Sequence, residues 1–325
     1  SVQCRTAVSS LLGVLCVLFV SDTAEGRLVP QSIVTAIIGL GIYISIFKHD
    51  HTVYNKKMWS FALVFCVSLL PHYLSEFVLQ SSDKLMINYM CGSRDVAIYS
   101  VSYSVGSLIN LITGALNSSF APYQYQQIKA KNYERLSTVA NQVLLFVAVM
   151  LGCLMLFSKE VVLIFGGKKY IESATVIVPI CIGVFFNYLF QLFARLQEYY
   201  ERKLTVVVPS ILCAILNLIL NYIFINIFGY QAAAYTTFFC YLFFCIIHYL
   251  FYKKVCKELL GGIQIYDIKF IVVLSIGVIL GGFAIMAVNS FLWLKYMSIG
   301  IAIVMAVVKR DTIINYLKKV LQDNR

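Results

Sequence analysis

The sequence predicts an all-α fold, a polytopic transmembrane helical bundle with about ten membrane spans. Hydrophobic residues make up 60% of the chain, mean hydropathy is +0.83 and only 13% of residues are charged, which lies outside the range of soluble domains. Apolar stretches recur at about the 20-residue length that a helix needs to cross a bilayer. These stretches lack the alternation of apolar and polar residues that a membrane β-barrel requires.

The predicted spans follow one another with short polar connections. Each is expected to be helical, because hydrocarbon offers no hydrogen-bond partners for backbone amides. In order, they cover residues 4–20, 28–47, 58–80, 96–120, 138–157, 173–194, 204–227, 232–251, 268–288 and 291–308. The tail 309–325 has apolar residues at helical spacing among basic ones, which favours an amphipathic segment on the inner leaflet over a disordered end.

Basic residues predict the orientation of the chain in the membrane. Nineteen of the 26 Lys and Arg residues fall in one set of alternate connections and seven in the other. Since positive connections stay in the cytoplasm, both termini of this chain are predicted to be cytoplasmic. The net charge of +11 is then a consequence of topology, and we expect no nucleic acid as a partner.

Nothing in the sequence indicates an enzyme. The ten cysteines include no C-x-x-C pair and mostly fall within predicted spans, so we interpret them as packing residues. The connections contain no Walker loop, H-E-x-x-H or G-x-S-x-G motif. We therefore expect a transporter without a cofactor or bound metal.

Polar residues inside spans are candidate functional residues, because each is costly in hydrocarbon and tends to face a cavity. The third predicted span carries a stripe on one helical face, followed by two charges near its end: His72, Glu76, Gln80, Asp83 and Lys84. Glu76 is the only carboxylate well inside a predicted span. The alternative for it is a structural pair with His72.

Three further spans carry polar candidate residues, and the neutral face of the fourth span would suit sugar hydroxyls or water. The fourth contributes Tyr99, Tyr103, Asn110 and Asn117 at helical spacing; the alternative for this face is helix–helix packing. The other candidates are Asn187, Gln191 and Arg195 in the sixth span and Asn217 and Asn221 in the seventh. For Arg195 the alternative is an ordinary anchor at the membrane surface.

Several motifs then occur in an order that resembles the polysaccharide and O-antigen flippases. Residues 82–87, Gly92 and residues 96–100 resemble the family signature "SDR-(hydrophobic)-G-x-GIYS". Residues 120–122 resemble its "F-x-P" helix end, and 165–174 its "FG-x-x-Y-x-x-A" loop. The segment 217–237 resembles "LN-x-x-LNYxLI…FG-x-GAA-x-xT".

The resemblance implies part of a two-lobed, alternating-access transporter of the multidrug/oligosaccharidyl-lipid/polysaccharide exporter superfamily. Residues 1–57 would be the last two helices of the first lobe, 58–252 the six-helix second lobe, and 253–325 two extra C-terminal helices with a basic cytoplasmic tail. Because such a fold has four more helices before these, and the chain opens with Ser1 directly in a span, we expect an N-terminally truncated chain.

The implied function is the flipping of an undecaprenyl-diphosphate-linked oligosaccharide, such as an O-antigen repeat unit, across the bacterial inner membrane. Lipid-linked oligosaccharide and membrane lipid would be the ligands, and a polysaccharide polymerase and chain-length machinery the protein partners. A cation-coupled drug or metabolite antiporter of the same superfamily is the first alternative. A membrane glycan polymerase and a non-catalytic scaffold are further ones.

Overall fold

The computed structural model describes residues 32–41, 43, 44, 55–289 and 295, and these are helical almost throughout, without a strand. The helices are α1 (Ser32–Gly41), α2 (Lys56–Met90), α3 (Ser93–Lys129), α4 (Tyr133–Leu156), α5 (Ser158–Phe165), α6 (Ala174–Tyr199), α7 (Lys203–Phe228), α8 (Gln231–Leu259) and α9 (Ile268–Asn289). A 3-10 turn, Lys168–Ser173, joins α5 to α6.

The predicted all-α membrane bundle is confirmed. Six helices in the described part of the chain, α3, α4, α6, α7, α8 and α9, are long and apolar enough to cross a membrane, and each coincides with a predicted span. Helix α2, which contains the predicted span 58–80, is not among the six. The count of ten is not confirmed, because 4–20, part of 28–47, and 291–308 except residue 295 lie outside the described residues, as does the tail 309–325.

Two helices extend well beyond a hydrocarbon core of about 30 Å. The 35 residues of α2 and the 37 of α3 correspond to about 52 and 55 Å of helix. Because α3 continues through Pro122 to Lys129, the helix end expected at residues 120–122 is wrong. Proline leaves one backbone carbonyl of the preceding turn without its amide, and near the membrane surface water can satisfy that carbonyl.

The chain divides into two compact units, residues 1–67 and 68–325. In the second unit α6 is the central helix, and it packs against α3, α4, α7, α8 and α9. Its most apolar stretch is 83% buried, against 11% for α9, whose exposed apolar side chains are those of a lipid-facing helix. All the predicted site residues belong to this second unit.

Short turns make successive helices antiparallel and give the bundle two ends. At the first end, α2 turns into α3 at Gly92 (φ 97°) and α7 into α8 at Gly229 (φ 75°), both in the left-handed region that favours glycine. At the second end, α3 turns into α4 at residues 130–132, α6 into α7 at 200–202, and α8 leads to α9 through 260–267. These ends separate the two clusters of polar residues described next.

Candidate functional site

A polar cavity of about 320 Å³ lies near the second end of the bundle, where α6 turns into α7. Helices α2, α3, α6 and α7 form its wall. Seven of the fourteen predicted site residues line it: His72, Glu76, Gln80, Asn110, Asn187, Gln191 and Arg195. Four different predicted spans therefore contribute to one surface, hereafter the polar cavity.

Helical spacing explains why these side chains meet. His72, Glu76 and Gln80 are four residues apart and share a face of α2, as do Asn187, Gln191 and Arg195 on α6. Within the α6 row, Gln191 Nε2 donates to Asn187 Oδ1 at 3.1 Å and to the Asn187 carbonyl at 3.0 Å. The row is thus held in place by its own side chains.

Sequence reasoning missed several residues of the cavity wall. Tyr188 and Glu198 also line it. The signal for Glu198 was present, since it follows Arg195 by three residues and pairs with it: Arg195 Nη1 lies 3.0 Å from Glu198 Oε2. Asn117, which does not line the cavity, supports Arg195 from α3 by accepting a bond from Nη2 at 2.9 Å.

His72 is fixed by a contact between α2 and α7 rather than by Glu76. Its Nδ1 lies 2.5 Å from Ser210 Oγ, and Ser210 donates its single hydroxyl proton to the Val206 carbonyl at 2.8 Å. Ser210 therefore accepts from His72, which corresponds to the Nδ1–H tautomer of the ring. In the neutral ring Nε2 is then an acceptor. The predicted structural pair of Glu76 with His72 is not formed.

Glu76 faces the cavity without a hydrogen bond or ion pair among the described residues. Arg195 is neutralised by Glu198, so Glu76 is the carboxylate in the cavity wall that lacks a counter-charge. A carboxylate in this situation can bind a proton, a cation or a hydroxyl group.

A second cluster, hereafter the Asp83 network, lies toward the opposite end of the bundle, and its central residues Asp83, Tyr99 and Asn221 are fully buried. Asp83 accepts hydrogen bonds from three neutral donors on three other helices. The donors are Tyr99 OH of α3 (2.7 Å), Asn221 Nδ2 of α7 (2.7 Å) and Thr237 Oγ1 of α8 (2.8 Å). The carboxylate therefore joins four helices.

Further bonds complete the Asp83 network. Ser82 Oγ donates to Asn217 Oδ1 at 2.9 Å, and Asn217 Nδ2 donates to Thr237 Oγ1 at 3.2 Å. Asn221 also donates to Asn217 Oδ1 at 3.2 Å and accepts from Thr236 Oγ1. Carboxylate, amide and hydroxyl oxygens are the ligand types that hard cations take, and here hydroxyl and amide N–H donors already bond to these oxygens. The described residues contain no cluster of three or more His, Cys, Asp or Glu suited to a metal.

The Asp83 network also brings together motifs that are far apart in the sequence. Ser82 and Asp83, at the start of the first motif, bond to both asparagines and to the final threonine of the 217–237 segment. Lys84 points elsewhere, with Nζ 4.1 Å from the centre of the Tyr103 ring. These seven remaining predicted residues, Asp83, Lys84, Tyr99, Tyr103, Asn117, Asn217 and Asn221, therefore lie outside the wall of the polar cavity.

A small void lies between the two regions. It measures about 30 Å³, which is about the volume of one water molecule. It shares Asn110 and Asn187 with the polar cavity and Tyr99 and Thr237 with the Asp83 network. Tyr103 lies in its wall. Polar groups thus continue along the bundle axis from one region to the other.

Comparison with known proteins agrees with this architecture. Residues 69–223 match the MatE family model. Among solved structures, the chain is similar to the lipid II flippase MurJ in its inward closed conformation, with a TM-score of 0.62 and 17% sequence identity, over 95% of this chain and 67% of that one. No curated protein sequence matches the chain. The chain therefore has an all-helical, multi-pass membrane fold similar to that of MurJ, and it contains a segment that matches the MatE model.

Proposed function

We propose that this chain is part of a flippase that moves an undecaprenyl-diphosphate-linked oligosaccharide across the bacterial inner membrane. The observation that carries the proposal is the polar cavity inside a membrane bundle, with neutral amides, hydroxyls and one Arg in its wall. A sugar headgroup cannot cross hydrocarbon unaided, because its hydroxyls would lose their hydrogen bonds. The ordered motifs of the polysaccharide and O-antigen flippases support the same substrate class.

The amides and the charges of the cavity have separate tasks in this proposal. Asn110, Asn187 and Gln191 offer both donors and acceptors to sugar hydroxyls. Arg195 offers a planar guanidinium to the diphosphate. Glu76 binds the proton or cation that drives the cycle, since no nucleotide-binding motif occurs in the sequence.

The alternating-access cycle follows from the arrangement of the two polar regions. By the distribution of basic residues, the polar cavity lies in the cytoplasmic half of the bundle and the Asp83 network in the periplasmic half. The cavity would receive the headgroup from the cytoplasm while the network closes the periplasmic side. Opening that side requires α2 and α3 to separate from α7 and α8.

The second candidate function is a cation-coupled drug or metabolite antiporter. Glu76 and Glu198 both line the cavity, and carboxylates in a cavity suit cationic drugs. Glu198, however, is neutralised by Arg195, which leaves Glu76 as the cavity carboxylate without a counter-charge in the described structure. The amide-rich wall therefore favours a sugar.

The test is complementation of a host that lacks its own flippase with the full-length gene, scored by periplasmic exposure of the undecaprenyl-linked glycan. Restored exposure and surface polysaccharide are expected. Glu76→Gln should lower the flipping rate without loss of membrane insertion, whereas Glu172→Gln, which changes an exposed carboxylate outside the cavity, should not. Cytoplasmic accumulation of the glycan despite normal insertion of the wild type would contradict the flippase and favour the antiporter.

A further inference from the structure

Arg195 is held by two partners of different character. Asn117, on α3, accepts from Nη2 at 2.9 Å and is neutral. Glu198, three residues along α6, accepts from Nη1 at 3.0 Å and carries the opposite charge. The first contact orients the guanidinium across the bundle, and the second neutralises it.

The contact with Glu198 is the one that can be exchanged. The Glu198 side chain is 38% exposed and that of Arg195 16%. An ion pair between neighbouring turns of one helix, with a partner this exposed, is weak because water screens it. The bond to Asn117 leaves the positive charge of Arg195 available, so displacement of Glu198 would expose a fixed, oriented guanidinium to the cavity.

Glu198 also has a second hydrogen-bond partner, which remains when it leaves Arg195. Tyr125 OH donates to Glu198 Oε2 at 3.2 Å from the far end of α3. The carboxylate can therefore stay at the rim of the polar cavity without its ion pair. A phosphate offers a guanidinium bidentate geometry and more negative charge than a carboxylate, so it competes well for Arg195.

We propose that Glu198 is an internal counter-anion that the diphosphate of the substrate displaces from Arg195. This inference rests on the proposed function. Glu198 then sets a threshold: a strong anion such as a diphosphate displaces it, and a neutral glycan does not. Because Glu198 competes with every anion for Arg195, only a strongly charged group such as a phosphorylated headgroup binds there.

The experiment measures binding of inorganic pyrophosphate to the purified full-length protein in nanodiscs of uncharged lipid, by calorimetry at fixed low ionic strength. Glu198→Gln keeps the size of the side chain and an acceptor for Tyr125 but removes the charge. It should bind pyrophosphate about 2- to 5-fold more tightly, the factor that an exposed ion pair is worth. Arg195→Gln should bind at least about tenfold more weakly, because a charge-assisted contact is lost.

Glu134→Gln is the matched control, since it removes an exposed carboxylate from the first turn of α4 without touching Arg195. Its affinity for pyrophosphate should equal that of the wild type. If thermal unfolding shows that Glu198→Gln is not folded, Glu198→Ala provides the same comparison.

The outcomes separate the inference from the proposed function. Unchanged or weaker binding in Glu198→Gln, with binding lost in Arg195→Gln, would overturn the counter-anion and leave the diphosphate site in place. Wild-type binding in Arg195→Gln, or no binding by the wild type, would overturn both the inference and the diphosphate contact of the proposed function.

Discussion

Asp83 of α2 accepts a hydrogen bond of 2.7 Å from the side-chain amide of Asn221, 138 residues away on α7. Both side chains are completely buried. The bond ties two motifs that the sequence keeps apart, and it is one of three that a single carboxylate accepts. Because buried donors without acceptors are expensive, the Asp83 network should be sensitive to every change of an acceptor into a donor.

Asp83→Asn should destabilise the protein by about 1–3 kcal/mol, because one of its two oxygens becomes an NH₂ group and faces the amide of Asn221 or a hydroxyl donor. The measurement is thermal unfolding in detergent. Asn221→Asp introduced into this variant restores an acceptor opposite the new donor and should recover part of the loss. Additive effects of the two changes would contradict the direct bond.

Gly106 should not tolerate a larger residue. A Cβ at this position would lie 2.5 Å from the Cγ2 of Ile180 on α6, and moving that methyl group requires a change of the χ1 rotamer, which β-branched residues in helices resist. Gly106→Ala should therefore destabilise the contact between α3 and α6 by about 1–3 kcal/mol. Ile180→Ala should relieve most of that effect in the double variant, as measured by a double-mutant cycle; full additivity would show that the two sites are independent.

Tyr252 supports the connection that leads from α8 to α9. Its hydroxyl accepts the backbone N–H groups of Ile265 at 2.7 Å and Tyr266 at 3.1 Å, and all three residues are buried. Tyr252→Phe would leave two buried donors unpaired and should lower stability by about 1–3 kcal/mol. Tyr89→Phe, at an exposed hydroxyl on α2, is the control and should unfold like the wild type.

Cys91 tests the orientation of the chain and the environment of the turn between α2 and α3. Burial raises the pKa of the Cys91 thiol, and the negative charge of Asp95 raises it further. Because the thiolate is the reactive form, labelling by a maleimide should be slow at neutral pH and should accelerate as pH rises beyond the ordinary thiol range.

The labelling experiment uses a variant in which Cys91 is the sole cysteine and a maleimide that does not cross membranes. Intact cells should be labelled, since this turn is predicted to be periplasmic. Asp95→Asn should lower the pKa and speed labelling at neutral pH. Labelling that requires permeabilised cells would reverse the predicted topology.

Much of the fold could be predicted because its cause is local. Long apolar stretches bounded by polar connections predict spans, and six of them coincide with long apolar helices. The helix ends were harder to predict: α3 runs past Pro122 because a helix that leaves the hydrocarbon can continue in water. The short helix α5 lies in a predicted connection between two spans, since eight residues are too few to stand out by periodicity.

The candidate residues were predicted from the cost of a polar group in a span, and this reasoning finds polar side chains without saying what they contact. Glu76 and Asp83 are both carboxylates of α2, seven residues apart. Only the neighbouring helices decide that Glu76 faces a cavity without a counter-charge and that Asp83 is buried among three donors. Their roles as substrate residues stay predictions.

The amino-acid sequence is sufficient to predict an all-α membrane protein, since hydrophobicity, span length and backbone hydrogen bonding depend on each segment and the bilayer alone. It also identifies which polar residues lie within the spans. The tertiary structure alone decided how those residues divide between the polar cavity and the Asp83 network. That division depends on contacts such as Arg195 with Asn117 and Asp83 with Asn221, whose partners lie 78 and 138 residues apart and carry no local signal.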